Sequence, residues 1–365
     1  MPQLKDIIKV FEDFAPPMLQ EGYDNSGLFV GDPSDEIIQV LVTLDVTEDV
    51  MHEAIAAGAN LVVSHHPLTL GGFKKITGRT EAERCVLLAI RHQIAIYSCH
   101  TNADAVMDGV SGKMAQRLGL TGCRVLEPKS GGLLKLVFFV PQSHAAQLRD
   151  VIFAAGAGHI GHYDSCSFNT EGTGTFRGDE HINPFVGEPG KLHFEVETKI
   201  ETIVPVHLKG RVLKAMFEAH PYEEVAYDLY PLANEWPTVG FGMVGELPRS
   251  MDAMHFLKMV KETFHCENVR YTGPHTRSVR RVALCGGAGS SLLGNAMAAG
   301  ADVFITADFK YHQFFDADKR IMIADIGHYE SEQFTKELFF ELLTKKFPNF
   351  AIRLSQVNSN PIKYL

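Results

Sequence analysis

Three short stretches place imidazoles and carboxylates directly after apolar runs. Ser64-His65-His66-Pro67 follows Leu61-Val62-Val63, and Cys99-His100-Thr101-Asn102-Ala103-Asp104 follows the run that starts at Ile94. Asp325-Ile326-Gly327-His328-Tyr329-Glu330-Ser331-Glu332 closes the run that starts at Ile321. Adjacent side chains of a regular strand point to opposite faces, so His65 and His66 can serve one site only where the strand has ended, and Pro67 favours such a stop. His328 and Glu332 are four apart and share a face once a helix has begun. Each stretch alone is ordinary: two loop imidazoles, a turn aspartate, a helix-start carboxylate. Taken together, His65, His66, Asp104, His328 and Glu332 form a donor set of nitrogen and oxygen only. That set suits two first-row divalent ions sharing a carboxylate or water, spaced by about 3.5–4 Å. A single tetrahedral zinc needs only four ligands.

Weaker candidates surround this set. Cys285-Gly286-Gly287-Ala288-Gly289-Ser290-Ser291 lies between a strand and a helix, where backbone amides at Gly287, Gly289 and Ser290 are placed to hold an anion; a plain tight turn is the competing reading. Lys310 and His312, beyond the strand Val303–Thr306, are candidates to orient or protonate a substrate oxygen, although a structural salt bridge is the stronger reading for Lys310. His100 reads first as a residue positioning a ligand and second as a general base. His220-Pro221-Tyr222-Glu223-Glu224 reads as a turn before it reads as an anion or metal site. Gly172–Arg177 is expected in a long loop, as a subunit contact or lid.

The elements that must position these residues come from periodicity. Up to about residue 128, strands (Ile37–Leu44, Leu61–Val63, Ile94–Cys99) alternate with helices (Leu4–Phe14, Glu48–Ala57, Ala82–His92, Ser111–Leu118), which implies an α/β fold with mainly parallel pairing. After about residue 246 the same style returns: strands Ser278–Cys285, Val303–Thr306 and Ile321–Ile326, helices Ser290–Ala299 and Tyr311–Ala317, and a long terminal helix Glu330–Phe347. Between them the order is βαβ then βαβ, a ferredoxin-like plan, with a Gly/Pro-rich loop Glu171–Gly190 and a closing loop Ala233–Gly245. Val140, Pro141, Phe153, Ala155, Tyr163 and Asp164 recur 64 positions later as Val204, Pro205, Phe217, Ala219, Tyr227 and Asp228. A duplicated βαβ half explains that repeat. The expected domains are residues 1–129 and 246–365, two parts of one α/β core, with 130–245 inserted.

The bulk properties narrow the function. A chain of 365 residues with 45% hydrophobic and 21% charged residues has globular composition, and its net charge of −10 disfavours a nucleic-acid surface. No apolar stretch reaches the roughly 20 residues of a membrane span, and the first residues carry no secretory pattern. Six scattered cysteines without a CxxC pair fit reduced thiols. A soluble cytoplasmic protein is expected.

With these residues in hand, the chain resembles the GTP cyclohydrolase I type 2 homologue family, also called Nif-three-like. The matching stretches are Asp24-Asn25-Ser26-Gly27-Leu28-Phe29-Val30-Gly31, Ser64-His65-His66-Pro67-Leu68, His100-Thr101-Asn102-Ala103-Asp104, Ala307-Asp308-Phe309-Lys310-Tyr311-His312 and Gly327-His328-Tyr329-Glu330-Ser331-Glu332. Tyr23 and Ala307 depart from the family pattern, which has Trp and Gly there. The resemblance implies two similar α/β halves with a dinuclear metal site between them, and His65, His66, Asp104, His328 and Glu332 as ligands. It further implies a CutA/PII-like inserted domain and assembly as a toroidal homohexamer. Two divalent ions per subunit are expected, zinc first, with iron or manganese as alternatives.

The functional expectation is a metal-dependent hydrolase acting on a nucleotide or another small anionic, phosphate-bearing molecule. The alternative is a non-catalytic metal-binding, metal-delivery or regulatory protein. Nucleic-acid and membrane partners are not expected.

Overall fold

The computed structural model describes residues 1–273 and 278–365. The protein divides into two compact units, residues 1–128 with 238–365, and residues 129–237.

The first unit contains a five-stranded and a six-stranded sheet. In the five-stranded sheet Gln39–Thr43, Leu61–Ser64 and Ala95–Ser98 run parallel, with Thr43 opposite Ser64 and Ser64 opposite Ser98. Their last residues therefore stand level, and whatever follows each strand emerges at one edge. Leu61–Ser64 and Ala95–Ser98 are buried throughout, consistent with runs that are apolar rather than alternating. The flanking strands are Gly27–Val30, antiparallel to Ala95–Ser98, and Ala351–Leu354, parallel to Gln39–Thr43. The C-terminal segment thus completes the first sheet, and the two halves are not consecutive blocks of sequence.

The helix Glu48–Ala57 forms where it was expected, and its ends show why. The Thr47 side chain accepts from the Val50 amide at one end, and Gly58 takes φ +72° at the other, a conformation glycine adopts without a Cβ clash. Helix Leu4–Phe14 buries Leu4, Ile7 and Phe11, and the Phe11 ring meets Phe339 edge-on at 5.1 Å and Tyr97 at 5.5 Å. Phe11→Ala is expected to destabilise the protein by about 3–5 kcal/mol, read from the shift of its urea midpoint.

The six-stranded sheet has the order Arg270–Tyr271, Met322–Asp325, Val303–Ala307, Ser278–Ala288, Glu235–Asp252 and Thr121–Ser130. Its three central strands are parallel, with Thr306 opposite Asp325, so their carboxyl ends also share an edge. Glu235–Asp252 occupies the stretch expected to be the loop Ala233–Gly245. Its glycines mark close approach rather than flexibility: a Cβ on Gly240 would lie 2.0 Å from the Glu127 carbonyl oxygen. The expected terminal helix is broken into His328–Glu332 and Thr335–Lys346.

In the second unit the elements run Leu133–Pro141, Ala145–Ala154, Ser167–Phe176, His193–Pro205, Lys209–Ala219 and Tyr227–Pro231, strand and helix alternating as βαββαβ. The sheet order is Ser167–Phe176, His193–Pro205, Leu133–Pro141, Tyr227–Pro231. Gly172–Phe176 lies in a strand rather than in the expected loop, paired residue by residue with His193–Glu197. Among the described residues no helix is long and apolar enough to cross a membrane.

Candidate metal centre

His65 directly follows the strand Leu61–Ser64 and is fully buried. Its Nδ1 lies 3.0 Å from the carbonyl oxygen of Cys99. A carbonyl only accepts, so Nδ1 carries the proton and Nε2 presents a lone pair. That lone pair faces Asp104 Oδ1 at 3.6 Å and Glu332 Oε1 at 3.8 Å, both beyond hydrogen-bond reach. His65 Nε2 and Asp104 Oδ1 are buried without any hydrogen-bond partner. Nitrogen and oxygen atoms left unpaired this way are costly unless a shared cation satisfies them.

The same anchoring recurs around the cluster. His66 Nδ1 lies 2.6 Å from Asp45 Oδ1 and its Nε2 2.8 Å from Glu332 Oε2. His328 Nδ1 lies 2.7 Å from Asp308 Oδ2 and its Nε2 3.1 Å from Glu332 Oε2. His100 Nδ1 lies 2.8 Å from Asp24 Oδ1, while Asp24 Oδ2 accepts from the Ser26 hydroxyl and from both the amide and the hydroxyl of Thr101. Every imidazole thus has Nδ1 tied to an oxygen, which fixes ring orientation; backing of this kind is typical of metal-ligating histidines. Three overlapping groups have ligand atoms within 4.8 Å of one another: His65, His66, His100; His66, His328, Glu332; and His65, Asp104, Glu332. The donors are imidazole and carboxylate throughout, chemistry that fits a first-row divalent ion.

Electrostatics follows from this crowding. Burial, reinforced by Glu332, pushes the Asp104 carboxyl up to about 7. Burial works against a charged His66, but Glu332 and Asp45 outweigh it and raise the imidazole to about 10. For His328 burial is likewise overcome, by Asp308 and Glu332, and the value rises to about 11. Glu332 is held well below the usual carboxylate range: its burial is opposed by the charge of His66 and by hydrogen bonds from His328 and His66.

The five residues singled out from the sequence therefore lie together, although Glu332 and His66 are 266 positions apart. His100 stands among the clustered rings, 5.2 Å from His65 and 5.5 Å from His66, rather than behind them. The anion cradle does not form at Gly287 and Gly289. The Gly287 amide donates to Ser331 Oγ at 2.9 Å and the Gly289 amide to Thr306 Oγ1 at 3.0 Å, while the Ser290 hydroxyl accepts from Gln313. Gly287 has another role: a Cβ there would lie 2.3 Å from Glu332 Oε1. Lys310 and His312 are exposed, and Lys310 makes no ion pair among the described residues, so the expected salt bridge is absent. Asp45 and Asp308 went unrecognised as imidazole partners. The available signal was position, Asp45 lying two residues and Asp308 one residue past a parallel strand at an edge that carries the histidines.

Comparison with known proteins places the chain among relatives of similar length and fold. A chain from Halalkalibacterium halodurans named "GTP cyclohydrolase 1 type 2 homolog" is 42% identical over 364 residues, covering 98% of both chains. One of the same name from Bacillus subtilis is 37% identical, covering 99% of this chain and 98% of its own. The crystal structure of a Bacillus cereus protein related to NIF3 superposes with a TM-score of 0.87 at 38% identity, covering 100% of this chain and 99% of that one. The model of the Duf34/NIF3 (NGG1p interacting factor 3) family matches residues 2–361, and the chain belongs to that family.

Proposed function

We propose that this protein binds two divalent metal ions through His65, His66, Asp104, His328 and Glu332, zinc first among candidates, and acts as a hydrolase on a nucleotide or other phosphate-bearing small molecule. The observation that carries this reading is the buried, unpartnered pair His65 Nε2 and Asp104 Oδ1 beside a carboxylate shared by two further imidazoles. Divalent ions bound there would supply Lewis acidity and lower the pKa of a coordinated water. The chain's own contribution is orientation: Asp45, Asp308 and the Cys99 carbonyl hold the Nε2 atoms inward. Lys310 and His312, exposed just beyond Asp308, are the candidates to meet an anionic substrate group. His100, anchored by Asp24, is a candidate to move a proton. The relatives' name suggests opening of the GTP ring; the cluster supports the broader class, since imidazoles and carboxylates ligate and transfer protons without reading a base.

The βαββαβ order and duplicated half of the second unit, 129–237, whose end falls short of the expected 245 because residues 238–252 continue into the six-stranded sheet, support a ferredoxin-like domain of the CutA/PII type. We assign the assembly as a toroidal hexamer working in the cytoplasm; light scattering should give six times the 40.4 kDa chain mass.

The deciding experiment measures metal content of protein purified without added metal, then screens that form against nucleotides and phosphoesters. Turnover that Glu332→Gln abolishes supports the hydrolase. Rapid metal exchange without turnover on any compound supports a metal-delivery or regulatory role.

A pH effect follows from the same geometry. At pH 7 the His66 and His328 rings are held as imidazolium between carboxylates, and a metal must displace the Nε2 proton of each. Metal addition is therefore expected to release about two protons per chain, and affinity should climb as pH rises from about 6 to 9. Calorimetry in two buffers of different ionisation enthalpy measures the proton count. Proton uptake, or affinity falling with pH, contradicts the ligand set.

A further inference from the structure

Along the strand His193–Pro205 of the inserted unit, successive residues face opposite sides of the sheet. Ile200 and Val204 pack with Leu136, Phe138 and the helix residues Leu148 and Val212 in one core. Glu197 points the other way. Its cross-strand neighbours are Pro141 and Gly172, and Phe139 and Phe176 project on the same side as it does. A mid-strand carboxylate on a face without helices ordinarily meets water, yet Glu197 is only 9% exposed. The segment around Ile182–Val186 and the turn at Tyr222–Glu224 cover it, held to each other by the Asn183 amide donating to Glu223 Oε1 at 3.1 Å.

Beneath that cover is a cavity of about 500 Å³, within the size range of small-ligand sites. Its walls are aromatic and aliphatic: the Tyr222 ring lies 6.4 Å from Phe176 and 6.3 Å from Phe185, with Ile182 and Phe139 completing the apolar surface. Glu197 enters this surface with one oxygen engaged, Oε1 accepting from the Tyr222 hydroxyl at 2.8 Å. Burial and then Glu197 itself hold that phenol protonated, well above its ordinary range. The other oxygen sits against Gly174, where a Cβ would come within 2.2 Å. Among the described residues no cation pairs with Glu197, and the lining sets three carboxylates, Glu197, Glu223 and Glu224, against the exposed Arg177 alone.

A nearly dry carboxylate with an open acceptor oxygen is stabilised by a donor that also carries positive charge. Aromatic faces around it attract the same charge. We propose that this cavity binds a small organic ammonium, a protonated amine on an apolar or aromatic body, with its N–H groups directed at Glu197 Oε2 and its body against Phe176, Phe185 and Tyr222. The stretch His220-Pro221-Tyr222-Glu223-Glu224 thereby acquires a role other than an anion or metal site. His220 is itself structural, its Nε2 2.9 Å from the Phe139 carbonyl and its Nδ1 accepting from the Tyr222 amide. The metal-capable groups found among the described residues all lie in the other unit, so the proposal stands apart from the metal reading.

The test titrates the full-length protein with three probes of similar shape: 2-phenylethylammonium, neutral 2-phenylethanol and anionic phenylacetate. Calorimetry is expected to show saturable binding of the ammonium, with the alcohol weaker by about tenfold or more and the acid weaker still. Glu197→Gln should weaken ammonium binding by about tenfold while leaving metal content unchanged. Gly174→Ala keeps the charge but crowds Oε2, and it should weaken binding in the same direction. Equal or tighter binding of the alcohol or the acid overturns the proposal. So does a folded Glu197→Gln protein that binds like the parent, or no saturation up to about 10 mM ammonium. Should Glu197→Gln fail to fold, the order of the three probes on the unmodified chain and the Gly174→Ala result decide the matter.

Discussion

Glu332→Gln is expected to lower metal affinity on the order of 100-fold and to cut the metal retained per chain, measured by elemental analysis after dialysis and by competition with a chelator. The size of the effect follows from position. Glu332 is 3% exposed and belongs to two of the three ligand groups, with Oε2 between His66 and His328 and Oε1 turned toward His65. An amide has nearly the same shape but no negative charge, so it would not offset the charge of the cations that Glu332 would hold. Chelated protein provides a second readout. There the raised imidazole values of His66 and His328 contribute stability that is complete below about pH 6.5 and lost as pH rises through about 10 and 11. The substitution leaves two half-buried imidazolium groups short of a partner, a cost of about 1–2 kcal/mol where both are charged, since solvent screens part of it. The difference in thermal midpoint between the two chelated proteins should therefore be largest near pH 6 and shrink toward pH 10. Metal affinity within about threefold of the parent would remove Glu332 from the ligand set.

The second large effect needs no ligand to be deleted. Gly287 has φ +59°, and a Cβ there would stand 2.3 Å from Glu332 Oε1 and 3.1 Å from His328 Cε1. Gly287→Ala should therefore displace the shared carboxylate and weaken metal binding by about 10- to 100-fold, with all five proposed ligands still present. The left-handed backbone adds about 1 kcal/mol of strain whatever the surroundings. Gly119→Ala separates the two contributions. Gly119 has φ +64° with nothing within 4 Å of a built Cβ, so that variant should lose about 1 kcal/mol of stability and keep its metal. Equal metal binding in both variants would show that Gly287 does not set the position of Glu332.

Much of the α/β architecture was legible because it is local. Glu48–Ala57 announces itself by its apolar spacing and the Gly58 that ends it, and Leu61–Ser64 by a short apolar run. Glycine-rich strands were not legible. Glu235–Asp252 reads as a loop because its glycines look like breakers, whereas in the sheet they admit a neighbouring backbone that a Cβ would exclude. The terminal helix expected over Glu330–Phe347 begins two residues earlier, at His328, and is interrupted at residues 333–334, a break that helical periodicity does not reveal.

What the sequence by itself determined was which side chains stand at strand ends: His65, His66, Asp104, His328 and Glu332 each follow an apolar run, and parallel strands deliver their ends to a common edge. Only the tertiary structure decided which oxygens orient those imidazoles, that His100 joins them, that the Gly287 and Gly289 amides are already engaged, and that Ala351–Leu354 completes the first sheet. The reason is range. Hydrophobic period and capping act over a few residues, whereas a contact such as His66 with Glu332 joins positions 266 apart and exists only once both sheets have formed.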